Sequence, residues 1–439
     1  MNEPLLLNSL FNPKVVAVIG ASPDPSKWGN WLAEQVFVHD YIRKVYFVNP
    51  KEKIIFGQKS LASIDLIPEP IDVAVVAVPL DLYEIVVDQL LFHGVKFIIG
   101  ITAGFGERDI VGLHKEQRIA VKVRRSGAHM VGPNCAGVYD GYAPFHCMPV
   151  GDYTPGPISI ISQSGGLIAD LYLRLKEVHL GYSKAISVGN INQTPIAEIL
   201  EYMDADPNTK LIVLHMEETK AIPDLTNISK PVILLAPKVT EASKQAVWNH
   251  TNSELKEANT YTSLRDIVPL IQRTLSGMKS DGGKRMAVIV DSGGLGAFLA
   301  AEAQEAGFEL PLPSHGLRNL ITERTLEDVP NLRIGNPIDM ISISSGFSQP
   351  TCEILDVLLS SDEYDCAICL LYLIEIELDP KLEFYIGLNM AYVIKRYNKP
   401  AMIVCKDFNR ESIKALIQEG IPVYRDIETA TEMMKTLLK

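Results

Sequence analysis

The chain of 439 residues is long enough for about three domains at roughly 150 residues each. Its 47% apolar and 21% charged residues are ordinary globular composition and allow sizeable cores. A net charge of −12 argues against nucleic acid or an anionic membrane surface as the main partner.

No apolar run approaches the ~20 residues needed to span a bilayer, and "MNEPLLLNSLFNPK" lacks a basic n-region. The expectation is a soluble, cytoplasmic protein without a membrane partner. Six cysteines are few for this length. Cys366 and Cys369 have C-x-x-C spacing, but "DCAICLLYLIEIE" reads as a buried strand with reduced thiols, and no second Cys or His pair stands at zinc-like spacing. No metal site is expected on this chain.

From residue 14 to 137, short runs rich in valine and isoleucine alternate with helix-length segments: "KVVAVIG", "KVYFVNP", "IDVAVVAVP", "VKFIIGITAG", "MVGPNCAG". Each run ends in Gly, Pro or Asn, the pattern of parallel strands covered on both faces. "PLDLYEIVVDQLLFHG" predicts a crossover helix closed by Gly94. One doubly wound α/β domain follows.

The first strand runs into Gly20, Ala21 and Ser22 and then a helix, which places backbone N–H groups where phosphate is attracted. The stretch is not G-x-G-x-x-G. The second strand ends "FVNP", with Asn49 where an NAD site usually carries an acidic residue for the ribose, so a nicotinamide cofactor is disfavoured. Lys51, and also Lys27, are placed to meet the extra phosphates of a larger nucleotide. "GITAGFGER" (100–108) and "GPNCAG" (132–137) end later strands and are expected to border the same crevice, because ligands in such sheets sit beyond the strands' carboxyl ends.

The rest of the chain contains an internal echo. "ISIISQSGGLIADLYLRLKE" and "MAVIVDSGGLGAFLAAEAQEAG" each run from an apolar strand through Ser-Gly-Gly into a helix, with Ser164 and Ser292 128 residues apart. "VGN" and "IGN", "LIVLHMEE" and "LLYLIEIE", "KPVILLAPK" and "KPAMIVCKD" continue the echo in order. Two copies of one flavodoxin-like domain are predicted, joined by the polar linker "SGMKSDGGKR" (276–285). Each Ser-Gly-Gly start offers free N–H groups and the positive end of a helix dipole, and two converging starts would hold a phosphoryl group. The alternative is that these glycines serve close strand–helix packing. Glu217, at the end of "LIVLHMEE", is either an ordinary solvated acid or a partner that fixes a nearby imidazole.

In order along the chain, "VAVIGAS", "VYFVNPK", "DVAVVAVP", "ITAGF", "GPNCAG", "SQSGG", "VGN", "NHT" and "NPIDM" resemble the nucleoside-diphosphate-forming acyl-CoA synthetases, relatives of the succinyl-CoA synthetase α subunit. The resemblance implies a Rossmann-like CoA-binding domain over residues 1–145 and two flavodoxin-like ligase domains over 150–277 and 284–439. It implies the reaction of a small carboxylic acid, CoA and a nucleoside triphosphate, with phosphate passing through a histidine. His250 matches that histidine and Glu217 the glutamate that holds it. Ser162, Ser164, Gly165 and Gly166 match one phosphate-cradling helix start, and Gly293, Gly294 and Gly296 its partner. The CoA positions matched are Gly20, Ala21, Ser22, Lys51, Ile101, Thr102 and Ala103, with Asn134 and Cys135 near the thiol end.

No segment here corresponds to the family's ATP-grasp domain, so the resemblance implies a separate β subunit in a heterotetramer, which would bring ATP or ADP with magnesium. Two departures stand out. Asn252 replaces the glycine of His-Thr-Gly, and "GNINQTP" lacks the family's acidic residue after "VGN". A CoA- or acyl-CoA-binding module without phosphohistidine chemistry is the alternative reading.

Overall fold

The computed structural model describes residues 3–38, 43–143, 145–148, 153–190, 194–216, 223–235, 260–261, 264, 266–325, 332–340, 348–371 and 379–438. The chain forms two compact units, one of Met1–Lys176 with Leu180–Leu264, the other of Glu177–His179 with Arg265–Lys439.

After helix α1 (Glu3–Phe11), strand β1 (Val15–Ile19) begins the first sheet and is buried along its whole length. β2 (Lys44–Val48) follows helix α2 (Trp28–Val38), and a small hairpin of β3 (Ile54–Ile55) and β4 (Gln58–Lys59) stands apart. β5 (Val73–Val76), β6 (Phe97–Gly100) and β7 (His129–Val131) complete five parallel strands in the order β2-β1-β5-β6-β7. Continuous apolar runs suit strands buried on both faces. The predicted crossover helix is α3 (Leu80–Phe92), ended by Gly94 at φ 78°. Helix α4 (Ile110–Ser126) opens where Asp109 accepts from the Gly112 N–H at 2.8 Å and closes at left-handed Gly127.

The second sheet takes β8 (Val138–Asp140), β9 (Phe145–His146), β10 (Pro155–Ser162), β11 (Tyr182–Ser187), β12 (Leu211–His215), β13 (Val232–Leu235) and β14 (Thr260–Tyr261). Its order is β14-β13-β12-β10-β11-β8-β9, with β8 and β9 antiparallel additions. In the second unit, β15 (Met286–Val290), β16 (Arg333–Ile334), β17 (Ile338–Asp339), β18 (Cys366–Leu370), β19 (Ala401–Val404) and β20 (Val423–Tyr424) form a sheet ordered β16-β17-β15-β18-β19-β20.

Counting only the parallel strands in chain order, all three sheets have the same arrangement, 2-1-3-4-5. The two copies expected from the Ser-Gly-Gly echo therefore share a topology, and the coenzyme-type sheet shares it too. Both copies also carry an antiparallel strand beside their second parallel strand, β8 in one and β16 in the other. The two strands come from different places in the chain.

The first two sheets share one core: Val18, Val75 and Ile99 of the first sheet pack with Ile161, Ile186 and Leu214 of the second. Helix α1 contributes Leu10 and Phe11 to it, and helix α6 (Ile196–Ala205) contributes Leu200 and Met203. Residues 138–140, within the stretch 1–145 expected for the coenzyme domain, pair with β11 as strand β8 of the second sheet. The helix Ile267–Ser276, assigned to the middle domain, belongs to the second unit, where Tyr424 donates to the Pro269 carbonyl. It carries a strong apolar face of Ile267, Leu270 and Ile271, and that face sets its partner.

Cys366 and Cys369 are buried strand thiols of β18, and burial pushes the Cys366 thiol up to about 12. Among the described residues no cluster of potential metal ligands occurs, and no helix is long and apolar enough to cross a membrane.

A buried charge network fastens β8 to the sheet. Lys184 of β11 pairs with Asp140 of β8 at 2.9 Å and with Asp206 at 3.3 Å, all three being less than a tenth exposed. Thr209 donates to Asp206 at 2.7 Å and exchanges hydrogen bonds with Ser159 and Ser183. Lys184→Met would leave two buried carboxylates without their cation, at a cost of about 3–5 kcal/mol. The expected outcome is a clearly lower urea midpoint; a midpoint unchanged from wild type would show the network to be stabilising nothing.

Candidate functional site

At the carboxyl end of the first sheet, β1 and β5 flank the point where the strand order reverses, the usual ligand position in such folds. A cavity of about 550 Å³ opens there. Ala77 and Val78, just beyond β5, form one side, and Trp28 at the start of α2 another. Ile101, Thr102 and Ala103 come from the loop after β6. Asn134 and Cys135, with Ala136, come from the loop after β7, and Gly165 and Gly166 from the start of helix α5 (Gly165–Lys176). Seven sequence-predicted site residues thus meet at one place, drawn from both sheets of the first unit.

Backbone contacts bring them together. A Cβ on Gly132 would lie 2.3 Å from the Gly100 carbonyl oxygen, and Gly132 has φ 90°, so the two loops touch through glycine. Asn134 donates its N–H to the Thr102 carbonyl at 3.0 Å, and Cys135 its own to Gly100 at 3.2 Å. The Thr102 hydroxyl donates to the Val78 carbonyl at 2.7 Å. Helix α5 reaches the cavity because Gly165 has no side chain; a Cβ there would sit 2.3 Å from the Ala136 Cβ. Burial pushes the Cys135 thiol up to about 12.

Gly20, Ala21, Ser22 and Lys51 lie outside the described cavity lining. Gly20, at φ 88°, passes so close to Ala77 that a Cβ would stand 2.3 Å from its carbonyl oxygen. Asn49 donates to the Ala21 carbonyl at 2.7 Å and accepts from the Lys51 N–H at 2.9 Å, so it clasps these two segments together. Ser22 accepts from the Asp24 N–H at 3.1 Å. The helix expected right after Ser22 begins only at Trp28, with Gly29 so near Gly20 that a Cβ would fall 2.0 Å from its carbonyl oxygen. Sequence reasoning missed Trp28, Ala77, Val78 and Ala136. Gly29, in "SKWGNW", was the available signal for close helix–strand packing.

The start of α5 is a built turn. The Ser162 hydroxyl donates to the Ser164 carbonyl at 2.8 Å and accepts from the Ser164 N–H at 3.0 Å. Ser164 in turn accepts from the Leu167 N–H at 3.3 Å. Behind them, His215 Nδ1 lies 3.0 Å from the Ser162 oxygen. The Ser162 proton being committed to Ser164, the imidazole is the donor in the Nδ1–H tautomer. Burial holds His215 down at about 4, so the ring is neutral near pH 7.

In the second unit the helix Gly293–Glu305 begins after Ser292, whose side chain makes no capping bond. Gly294 faces open space, so it serves no close strand–helix packing; farther along, a Cβ on Gly296 would meet Val290 at 2.9 Å. The Asp339 carboxylate stands beside Gly293, 2.4 Å from where a Cβ would be, so the chain supplies an acidic group at that helix start. Burial raises the Asp339 carboxyl above its ordinary value. His250 and Glu217 lie outside the described residues.

The match to a CoA binding domain model runs over residues 14–140, and that to a succinyl-CoA ligase like flavodoxin domain over 155–267. The I subunit alpha of the ADP-forming acetate–CoA ligase of Pyrococcus furiosus is 30% identical, the alignment spanning 99% of this chain and 97% of the relative. The chain belongs to the family of ADP-forming acetate–CoA ligase alpha subunits. An ADP-forming acetate–CoA ligase of Methanocaldococcus jannaschii is also 30% identical over 76% of this chain, but the match spans only 49% of that protein. A solved structure of a dinucleotide-forming acetyl-coenzyme A synthetase from Ca. Korarchaeum cryptofilum has the same fold, with a TM-score of 0.76 at 24% identity over 98% of this chain and 96% of that one. In this ligase family member, the CoA binding domain model ends at β8, the strand that joins the second sheet.

The buried His215 makes stability depend on pH. Its folded value near 4 lies below the unfolded value of about 6.5, so the unfolded chain binds the extra proton first. Stability is complete above pH ~6.5 and is lost as pH falls toward 4, by about 3 kcal/mol in total. His215→Asn, which keeps a neutral donor for Ser162, should flatten this component. Urea unfolding between pH 7 and 4.5 checks it; parallel pH slopes for the two proteins would refute it.

Proposed function

We propose that this chain is the α subunit of a nucleotide-dependent carboxylate–CoA ligase, interconverting acyl-CoA, nucleoside diphosphate and phosphate with acid, CoA and nucleoside triphosphate. The supporting observation is the cavity in which the coenzyme-type loops after β6 and β7 meet the N-terminus of α5. A thioester carbonyl at that junction lies among small apolar side chains and beside helix N–H groups. Attack of phosphate on such a carbonyl develops an oxyanion, which oriented N–H donors stabilise in a water-poor pocket. The products are CoA and an acyl phosphate. His250 then takes the phosphoryl group as the free acid leaves, with Glu217 fixing the imidazole, and passes it to the nucleotide.

The nucleotide, with its magnesium, is assigned to an ATP-grasp β subunit. The relative matched over 97% of its length is called an alpha subunit, while one called simply a ligase is matched over 49%. The unmatched half of the latter is the counterpart of the missing partner. The substrate class is a small carboxylic acid, and the reading places the enzyme in the cytoplasm. The Ser162–Ser164–Gly166 start is the phosphate stop next to CoA, and Gly293, Gly294 and Gly296 are assigned to the other. Gly20, Ala21, Ser22 and Lys51 are assigned to the coenzyme's nucleotide end.

The test uses the purified full chain without partner. Acetyl-CoA with radiolabelled phosphate is expected to leave an acid-labile, base-stable label, absent from His250→Ala. CoA at a hundredfold above its Kd should add about 2.7 kcal/mol of stability, read as a rise in Tm. A rise in Tm without label from any acyl-CoA would replace the ligase with a CoA-binding module, the reading favoured by Asn252 in the histidine loop.

A further inference from the structure

The "VGN" turn at 188–190 lies within hydrogen-bonding reach of the cavity walls, although its residues do not line the cavity. Asn190 donates its N–H to the Pro133 carbonyl at 3.0 Å, and Gly132 donates to the Val188 carbonyl at 2.9 Å, so the turn is bonded to the loop after β7 along the backbone. The Asn190 side chain extends this link. Its Oδ1 accepts from Asn134 Nδ2 at 3.0 Å. Its Nδ2 donates to Glu116 Oε2 at 3.2 Å and also to Glu107 Oε2.

The two carboxylates hold the third loop. Glu116 Oε2 accepts from the Gly106 N–H at 2.9 Å, and Glu107 Oε1 accepts from the Gly104 N–H. Glu116 is 2% exposed, on α4. One amide therefore bridges the loops 101–107 and 132–137, using both Nδ2 hydrogens and its oxygen. Asn134, whose side chain it orients, borders the cavity at φ 57°.

We propose that Asn190, clamped by Glu107 and Glu116, is a positioning residue for coenzyme binding: it fixes Asn134 and the two loops against which CoA lies. The proposal rests on the assignment of the cavity to CoA. The amide is required as a donor between two acceptors, and an isosteric carboxylate in its place would face both glutamates as a like charge. The titratable groups that face Glu116 are Glu107 from the neighbouring loop and Tyr83 from α3. Burial, with Glu116 nearby, keeps Tyr83 protonated, and burial raises the Glu116 carboxyl above its ordinary value.

The experiment measures CoA affinity of the full chain by calorimetry between pH 6 and 8, with Tm as the folding control. Wild type binding CoA is the prior condition; if it does not bind, the cavity assignment itself fails. With wild type binding, N190D is expected to bind at least tenfold more weakly at pH 7.5, with the deficit shrinking toward pH 6 as a carboxyl takes up a proton. The double variant N190D/E107Q, in which the glutamine amide donates back to the new carboxylate while its oxygen still accepts from Gly104, is expected to recover most of the loss. N190D within twofold of wild type, or no recovery in the double variant, overturns the proposal. If N190D does not fold, N190A, which removes the bridge without adding charge, is held to the same tenfold and twofold limits.

Discussion

Everything at the candidate site depends on backbone meeting backbone. Strands of a parallel sheet lie close enough to hydrogen-bond, but the loops beyond them carry side chains that normally hold them apart. Here those side chains are missing where the loops cross: Gly20 against Ala77, Gly132 against Gly100, and Gly165 against Ala136. At each crossing a Cβ would come within 2.3 Å of another atom, far inside any real contact. The gain is a cavity lined by Trp28 together with small residues such as Ala77, Ala103, Ala136, Gly165 and Gly166.

The same constraint explains how two sheets come to serve one cavity. The loop after β7 does not stop at its own domain; it continues into β8, which pairs with β11 of the second sheet. Lys184 and Asp140 then fix this crossing strand from within the core. The coenzyme-type loops and the α5 terminus are consequently held by one continuous piece of structure, and the first two sheets share a core. The sheet of the second unit repeats the order of the others but begins its own compact body, with β16 filling the place of β8.

Much of this was legible in the sequence because it rests on local patterns. Short valine- and isoleucine-rich runs ending in glycine gave the parallel strands, and the duplicated Ser-Gly-Gly gave two helices that open after equivalent strands, β10 and β15. The loops holding Ile101, Thr102, Ala103, Asn134 and Cys135 could be expected to meet because loops at the carboxyl ends of neighbouring strands lie together, whereas Gly165 and Gly166 were marked by the Ser-Gly-Gly helix start. What escaped depends on long-range fit. Trp28 lines the cavity only because α2 starts late, after a turn in which Lys27 bonds back to Asp24. The second-sheet membership of β8 and β9 is set by pairing of β8 with β11 and of β9 with β8, which periodicity in such short segments does not encode. The carboxylate of Asp339 beside Gly293 was equally invisible, since 46 residues separate the two in the chain.

Cys135 adds a chemical consequence. The residue borders a cavity assigned under the proposed function to a thioester, and a thiolate there would compete for any acyl group carried in. Only the deprotonated form is nucleophilic, and burial, which pushes this thiol up to about 12, keeps it protonated near pH 7. Withdrawal from water therefore makes the sulfur a spectator, so cargo can pass beside it without being stolen onto the protein.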